Sequence, residues 1–258
     1  MASSTNKKVI FAALAGNLAI AATKLIAAVF TGSAAMMSEA IHSAVDTGNQ
    51  VILLIGLKRA ARPPTENHPF GHGLQLYFYT FVVAVLIFGI GAVISITHGI
   101  ERIQNPEPIE NPWVNYLILG LSMVFEGASW TIAFRAFNKE RGGRPFLGMV
   151  HTSKDPTVFT VLFEDTAALA GLVVALVGVV CSQVFDMPVL DGVASVAIGL
   201  ILAVTAFFLA SESQSLLTGE AADPATREGI KAIATAEPGV EGLNDARTMH
   251  FGPNEIMV

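Results

Sequence analysis

His42 and Asp46 stand four residues apart in the segment SEAIHSAVDTGNQ, inside an otherwise apolar stretch of chain. On a helix that spacing places both side chains on one face, one turn apart. An imidazole and a carboxylate so placed can grip one metal ion together; the plain alternative is a buried His–Asp hydrogen bond that pins two helices. A second acidic pair, Glu164 and Asp165, lies in VLFEDTAALAG. Adjacent residues on a helix point about 100° apart. At most one of the two can share the His42–Asp46 centre ideally, although both can line one polar cavity. Glu126, in LSMVFEGASW, is a third isolated acid in apolar surroundings. It can serve as an extra ligand, as a proton carrier or as a neutral hydrogen-bonded acid. A separate set occurs in TENHPFGHG, where His68 and His72 are again four apart and Glu66 is near. Two imidazoles and a carboxylate make a zinc-type donor set; the alternative is a solvated loop turned by Pro69 and Gly71.

The elements that must carry these residues are apolar and long. Of 258 residues 52% are hydrophobic and only 14% charged, against about 25% charged in a typical soluble domain. Mean hydropathy is +0.57. Apolar runs near the 20 or so residues of a membrane-spanning helix fall at roughly Ile10–Phe30, Met36–Leu57, Leu76–Thr97, Val114–Phe134, Val158–Val180 and Val193–Ala210. The fold class expected is therefore an all-α membrane protein, a six-transmembrane-helix bundle over residues 1–211. The links ERIQNPEPIENP and FDMPVLD read as loops, because proline and acids interrupt the apolar pattern. Ionisable residues within such spans are costly and usually mark an ion path, which puts His42, Asp46, Glu164, Asp165 and Glu126 in that class.

Basic residues divide unequally between the two sets of loops. Lys7, Lys8, Lys58, Arg59, Arg62, Arg135, Lys139, Arg141, Arg144 and Lys154 fall on one side, and Arg102 alone on the other. The positive-inside rule then places both termini in the cytoplasm. Lys24 lies within the first span and is expected to snorkel to the outer interface. Glu39, near the outer end of the second span, is expected to be interfacial. Asn17 is expected to hydrogen-bond between helices rather than bind metal. The single Cys181 excludes an intrachain disulfide and a cysteine metal site and reads as a packed thiol. His98, His151 and His250 have no partner at ligand spacing. A net charge of −6 without a long basic run argues against nucleic-acid binding.

Past residue 211 the composition becomes that of a soluble segment. DPATREGIKAIATAEPGVEGL reads as a helix capped by Asp223, with Pro224 at its first position. DARTMHF and EIMV read as two strands joined by a Gly-Pro-Asn turn. One helix and two strands cannot bury a core alone, so residues 212–258 are expected to be part of a small α/β cytoplasmic domain, cut short.

HSAVD, HPFGHG and the cytoplasmic RTMHFGP together resemble the cation diffusion facilitator family, over essentially the whole chain. The resemblance implies a six-helix transporter, usually a homodimer, with a ferredoxin-like cytoplasmic domain, exchanging zinc or a related dication for protons by alternating access. His42 and Asp46 match the second-helix half of the family's transport site. The family's fifth helix typically offers HxxxD; aligning Gly171 and Gly178 puts Glu164 at the His position and Ala168 at the Asp position. One ligand is thus absent from its usual place, with Asp165 or Glu126 as candidates to replace it. This pattern looks like the branch that includes the mitochondrial zinc exporter of animals. In the loop, His68 and His72 match, while Thr65 stands where many relatives have Asp, so that site either uses Glu66 or is vestigial.

The expected function is efflux of a divalent metal by metal/proton antiport, since imidazole and carboxylates must shed protons to bind a dication. One nitrogen donor among carboxylates favours Zn2+, with Mn2+, Fe2+, Co2+ or Cd2+ as other possible cargo, and no organic cofactor is expected. The expected setting is the bacterial inner membrane. Two other classes compete, an intramembrane metal-dependent enzyme and a membrane metal sensor. The first needs an open coordination position and a general base, and HExxH is absent from the sequence.

Overall fold

The computed structural model describes residues 4–141, 145, 154–253 and 255–258; His151 and Arg144 lie outside the described residues. Six long helices dominate: α1 (Ser4–Thr31), α2 (Ala34–Ala60), α3 (Leu74–Gln104), α4 (Pro112–Arg141), α5 (Pro156–Val184) and α6 (Val189–Gly219). They contain every apolar run marked in the sequence and extend beyond each. Helix α3 is α-helical over Leu74–Leu86 and Val93–Gln104, with a π-helical turn at Ile87–Ala92 between them.

Among the described residues four helices, α3 to α6, are long and apolar enough to cross a membrane. The apolar part of α1 within the described side chains is Asn17–Thr31. In α2 the polar stretch from His42 to Gln50 lowers the hydropathy. Of these polar residues the bundle buries His42, Ser43 and Asn49, while Asp46, Thr47 and Gln50 are only half-buried.

The helices close on themselves. α1 packs on α2, α2 on α3, α3 on α6, α6 on α5, α5 on α4, and α4 returns to α1; α2 also reaches α5 and α6. Small residues permit the closest approaches, as expected for helices packing in lipid. A methyl group added at Gly178 on α5 would lie 2.3 Å from the Ala194 Cβ on α6. The outward faces carry large apolar side chains, among them Ile26, Val124, Ile132, Val204 and Phe207. The interior holds Lys24, Glu39, His42, Asn49, Glu164 and Asp191, all buried. Large apolar side chains on the outward faces, with the ionisable groups withdrawn into an otherwise apolar core, form the arrangement expected of helices in hydrocarbon.

Two of the loop expectations shift. The segment ERIQNPEPIENP opens as helix, since α3 continues to Gln104, and FDMPVLD closes as helix, since α6 begins at Val189. Asp191 is therefore a helical residue, and it faces the bundle: its carboxylate accepts hydrogen bonds from Ser33 Oγ (2.7 Å) and from the amides of Ala34 and Ala35. These are unpaired donors at the start of α2, so an acid on α6 completes the cap that Ser33 begins by accepting from Met36 N.

Beyond α6, Asp223 caps α7 (Pro224–Ala236), accepting from Ala225 N and Thr226 N. β1 (Met249–Gly252) and β2 (Glu255–Met257) pair antiparallel. The described residues of this segment form one helix and one two-stranded sheet, as the sequence suggests, without the further strands and helices of a ferredoxin-like domain.

Candidate metal site

A cavity of about 540 Å3 opens between α1, α2, α4 and α5. Its wall includes Asp46 and Asn49 from α2, Glu126 and Ser129 from α4, and Glu164 and Asp165 from α5. The helical repeat brings them there. Asp46 and Asn49 are three apart, as are Glu126 and Ser129, so each pair shares a face. Four of the acids singled out in the sequence thus meet at one space although they come from three helices.

His42 stands beside this wall. Its Nδ1 is 3.4 Å from Asp46 Oδ1, as the four-residue spacing requires. That contact lacks hydrogen-bond geometry, and both ring nitrogens of His42 are buried without a hydrogen-bond partner among the described residues. A buried imidazole with two unused nitrogens has donor capacity that the fold does not consume.

The α5 acids are held by neutral partners. Glu164 is buried and accepts from Asn49 Nδ2 at 2.9 Å, while Asp165 accepts from Ser129 Oγ at 2.9 Å. Glu164 thus leans toward α2 and Asp165 toward α4, in keeping with the roughly 100° between neighbouring helical side chains. Among the described residues no three His, Cys, Asp or Glu side chains are grouped tightly enough to hold one ion in this conformation. Asn49 and Ser129 were not singled out in the sequence, because amides and hydroxyls within a span carry no spacing signature of their own. Asn17 also lines the cavity.

Two expectations at this depth are overturned. Lys24 does not snorkel: it is fully buried, with Nζ donating to Glu39 Oε2 at 3.1 Å and to Ser43 Oγ at 2.8 Å. Glu39 is not interfacial, for it too is fully buried as the partner of Lys24. An ammonium is buried without water only when it is paired, and a carboxylate fifteen residues away supplies the pairing.

In the loop after α2, His68 and His72 come together with their rings stacked 4.4 Å apart, His72 buried and His68 exposed. Thr65 and His68 exchange backbone hydrogen bonds, and Gly71 takes φ +81°, which turns the chain back toward α3. Glu66 is exposed and forms no three-residue metal set with the two histidines. Instead a different carboxylate arrives over this loop: Glu255 Oε2 on β2 lies 3.0 Å from where a Gly71 Cβ would stand. The Phe70 and Phe251 rings meet at 4.9 Å, so the HPFGHG loop is also the seat of the C-terminal hairpin.

Residues 10–218 match the family described as the cation efflux transmembrane domain. Among curated relatives, the chain is similar to the mitochondrial proton-coupled zinc antiporter SLC30A9 of Xenopus laevis, 34% identical over 81% of this chain and 38% of that protein. It is also similar to metal tolerance protein C4 of Arabidopsis thaliana, 28% identical over 81% of this chain and 46% of that protein. The cation-efflux pump FieF of Shewanella oneidensis is 29% identical over 78% of this chain and 63% of its own length. The chain therefore spans well under half the length of the SLC30A9 relatives that it matches. With the matched region running from α1 to the end of α6 and taking in the whole acid-lined cavity, the chain belongs to the cation diffusion facilitator family, on the side of the SLC30A9 branch.

Proposed function

We propose that the protein exports a divalent metal, zinc foremost, by exchange for protons through the cavity between α1, α2, α4 and α5. The observation that carries this reading is the pair of unused nitrogens on buried His42 next to Asp46, at the edge of a cavity with three further acids. His42 and Asp46 supply the α2 half of the site. Glu164 supplies the third donor once Asn49 releases it, and Asp165 or Glu126 the fourth. The ion is cargo, and its arrival displaces protons from the donor groups, so a proton gradient can drive its release on the other side. Movement of helices around a site at mid-membrane exposes it to each side in turn.

The names of the SLC30A9 relatives, which specify zinc and proton coupling, support the choice of cargo and counter-ion. In the same reading all six long helices cross the bilayer, α1 and α2 included, with residues 1–211 as the transmembrane part and both termini in the cytoplasm. Residues 212–258 belong to a cytoplasmic ferredoxin-like domain, the assembly is a homodimer, and the host membrane is the bacterial inner membrane. His68 and His72 form a second, cytoplasmic site whose carboxylate is Glu66 or Glu255. HExxH is absent from the sequence, and the family match favours transport over both an intramembrane enzyme and a sensor that only binds.

Zinc uptake into proteoliposomes under an imposed pH gradient tests the reading. His42→Ala and Asp46→Ala are expected to abolish uptake, and Glu164→Gln to reduce it more than Asp165→Asn or Glu126→Gln. Wild-type uptake by a folded Asp46→Ala protein would remove α2 from the site and sink the proposal.

A further inference from the structure

The Lys24–Glu39 pair is fully buried and has no part in the donor set proposed above, yet it adjoins that set. Lys24 on α1 reaches Glu39 Oε2 at 3.1 Å and Ser43 Oγ at 2.8 Å. On α2, Glu39 precedes His42 by three residues and Ser43 follows it by one, so the ammonium is held against the same helix one turn from the imidazole. The second carboxylate oxygen of Glu39 has no hydrogen-bond partner among the described residues and abuts Gly171 on α5. The titratable groups near enough to feel the charge of Lys24 are Glu39, His42 and Asp46 on α2 and Glu126 on α4, and of these only Glu39 touches it.

A buried ion pair in hydrocarbon is expensive to maintain, and apolar residues of similar size often stabilise a fold as well. Its electrostatic field is nevertheless strong there, because little water screens it. A cavity with four carboxylates and an imidazole would bind a dication tightly and release it slowly. A fixed ammonium nearby weakens that attraction, and a fixed carboxylate strengthens it.

Resting on the metal-site reading above, we infer that Lys24 and Glu39 are a built-in pair of counter-charges that sets the affinity of the cavity for its dication without touching the ion. The two residues act in opposite senses: Lys24 promotes release and Glu39 promotes capture.

The test is calorimetric titration of zinc into the purified full chain, with transport KM in proteoliposomes alongside. Lys24→Gln is expected to tighten zinc binding by about tenfold, and Glu39→Gln to weaken it by a similar factor. Lys24→Gln/Glu39→Gln is expected to return to within about twofold of wild type. Opposite signs for the two single variants cannot come from loss of packing alone, which would weaken binding in both. Weakening in both, or no change in either, overturns the inference. If Lys24→Gln does not fold, Glu39→Gln and the double variant still decide, because the double must recover the affinity that the single loses. Asp46→Ala separates the two levels of the argument. With His68→Ala/His72→Ala as the common background for every titration, undiminished zinc binding by Asp46→Ala removes the site itself, whereas lost binding there with same-signed Lys24 and Glu39 effects removes only the counter-charge pair.

Discussion

At the scale of residues, the interior of the bundle assigns its space by charge. Glu39 keeps its place because α5 presents a glycine opposite it: a Cβ on Gly171 would stand 2.4 Å from Glu39 Oε1. A carboxylate at the end of a side chain can normally swing away from such a methyl group. Here the other oxygen is held by Lys24 and both residues are fully buried, so yielding means stretching the ion pair or parting α2 from α5. Gly171→Ala is accordingly expected to cost about 1–3 kcal/mol, in the range of overpacked cores, and to lower the midpoint of thermal unfolding in detergent. Gly120→Ala on α4 is the control, because nothing lies within 4 Å of its added methyl; it should be neutral or slightly stabilising through helix propensity. Equal midpoints for the two variants would show that Glu39 has room to move and that the pair is loosely held. The same pair marks the limit of what spacing reveals. His42 and Asp46 are visible in the sequence because one helix carries both at a four-residue interval. Lys24 and Glu39 lie on different helices, and each alone is most simply read as an interfacial charge.

At the scale of elements, the junction of α1 and α2 is braced from a distance. The turn between them is only Gly32–Ser33, with Gly32 at φ +67°, a left-handed conformation that suits glycine. The amides at the start of α2 are then satisfied by Asp191, which approaches from α6. Truncation by Asp191→Ala leaves those N–H groups and the Ser33 hydroxyl short of a buried acceptor, at a cost of about 1–3 kcal/mol. Asp191→Asn, which keeps one acceptor oxygen, should cost less. Hydrogen exchange at Ala34 and Ala35 and thermal unfolding both report this, and wild-type values for Asp191→Ala would refute the cap. The six long helices themselves were legible, because sustained apolar runs admit little else in a lipid setting. Their ends were less so. Asp191 reads as part of a polar loop, since an acid beside a proline ordinarily faces water. In the fold it turns inward as the acceptor for another helix, and α6 starts four residues earlier than its apolar run suggests. The cavity shows the same division: each acid was recognisable in isolation, but their orientation by Asn49 and Ser129 depends on how α2, α4 and α5 pack.

At the scale of the whole molecule, the helical bundle and the C-terminal hairpin are joined by a small set of contacts at the foot of α3 and α6. Gly73, just before α3, lies so close to β1 that an added methyl would fall 2.3 Å from Phe251 O. His250 N donates to Glu220 O at 2.9 Å, and the Glu220 carboxylate pairs with Lys154, two residues before α5. Burial alone raises the Glu220 carboxyl, but the hydrogen bonds from Lys154 and Ser215 and the charges of Lys154 and His250 outweigh it and hold it below its ordinary value of 4.5. A depressed carboxyl contributes stability that is fully present above its unfolded value and is lost as pH falls through its folded one. Docking of the hairpin should therefore lose the contribution of this ion pair as pH falls below about 4.5. Hydrogen exchange at the His250 amide, corrected for the intrinsic rate, reads this directly. Protection in the wild type is expected to fall on going from about pH 6 to about pH 3.5, whereas Glu220→Gln should begin lower and change little over the same interval. A pH profile for Glu220→Gln that parallels the wild type would place the sensitivity in other groups. A Glu220→Gln protein that kept full protection throughout would mean that the glycine and aromatic contacts around Gly73 and Phe251 hold the hairpin without the ion pair.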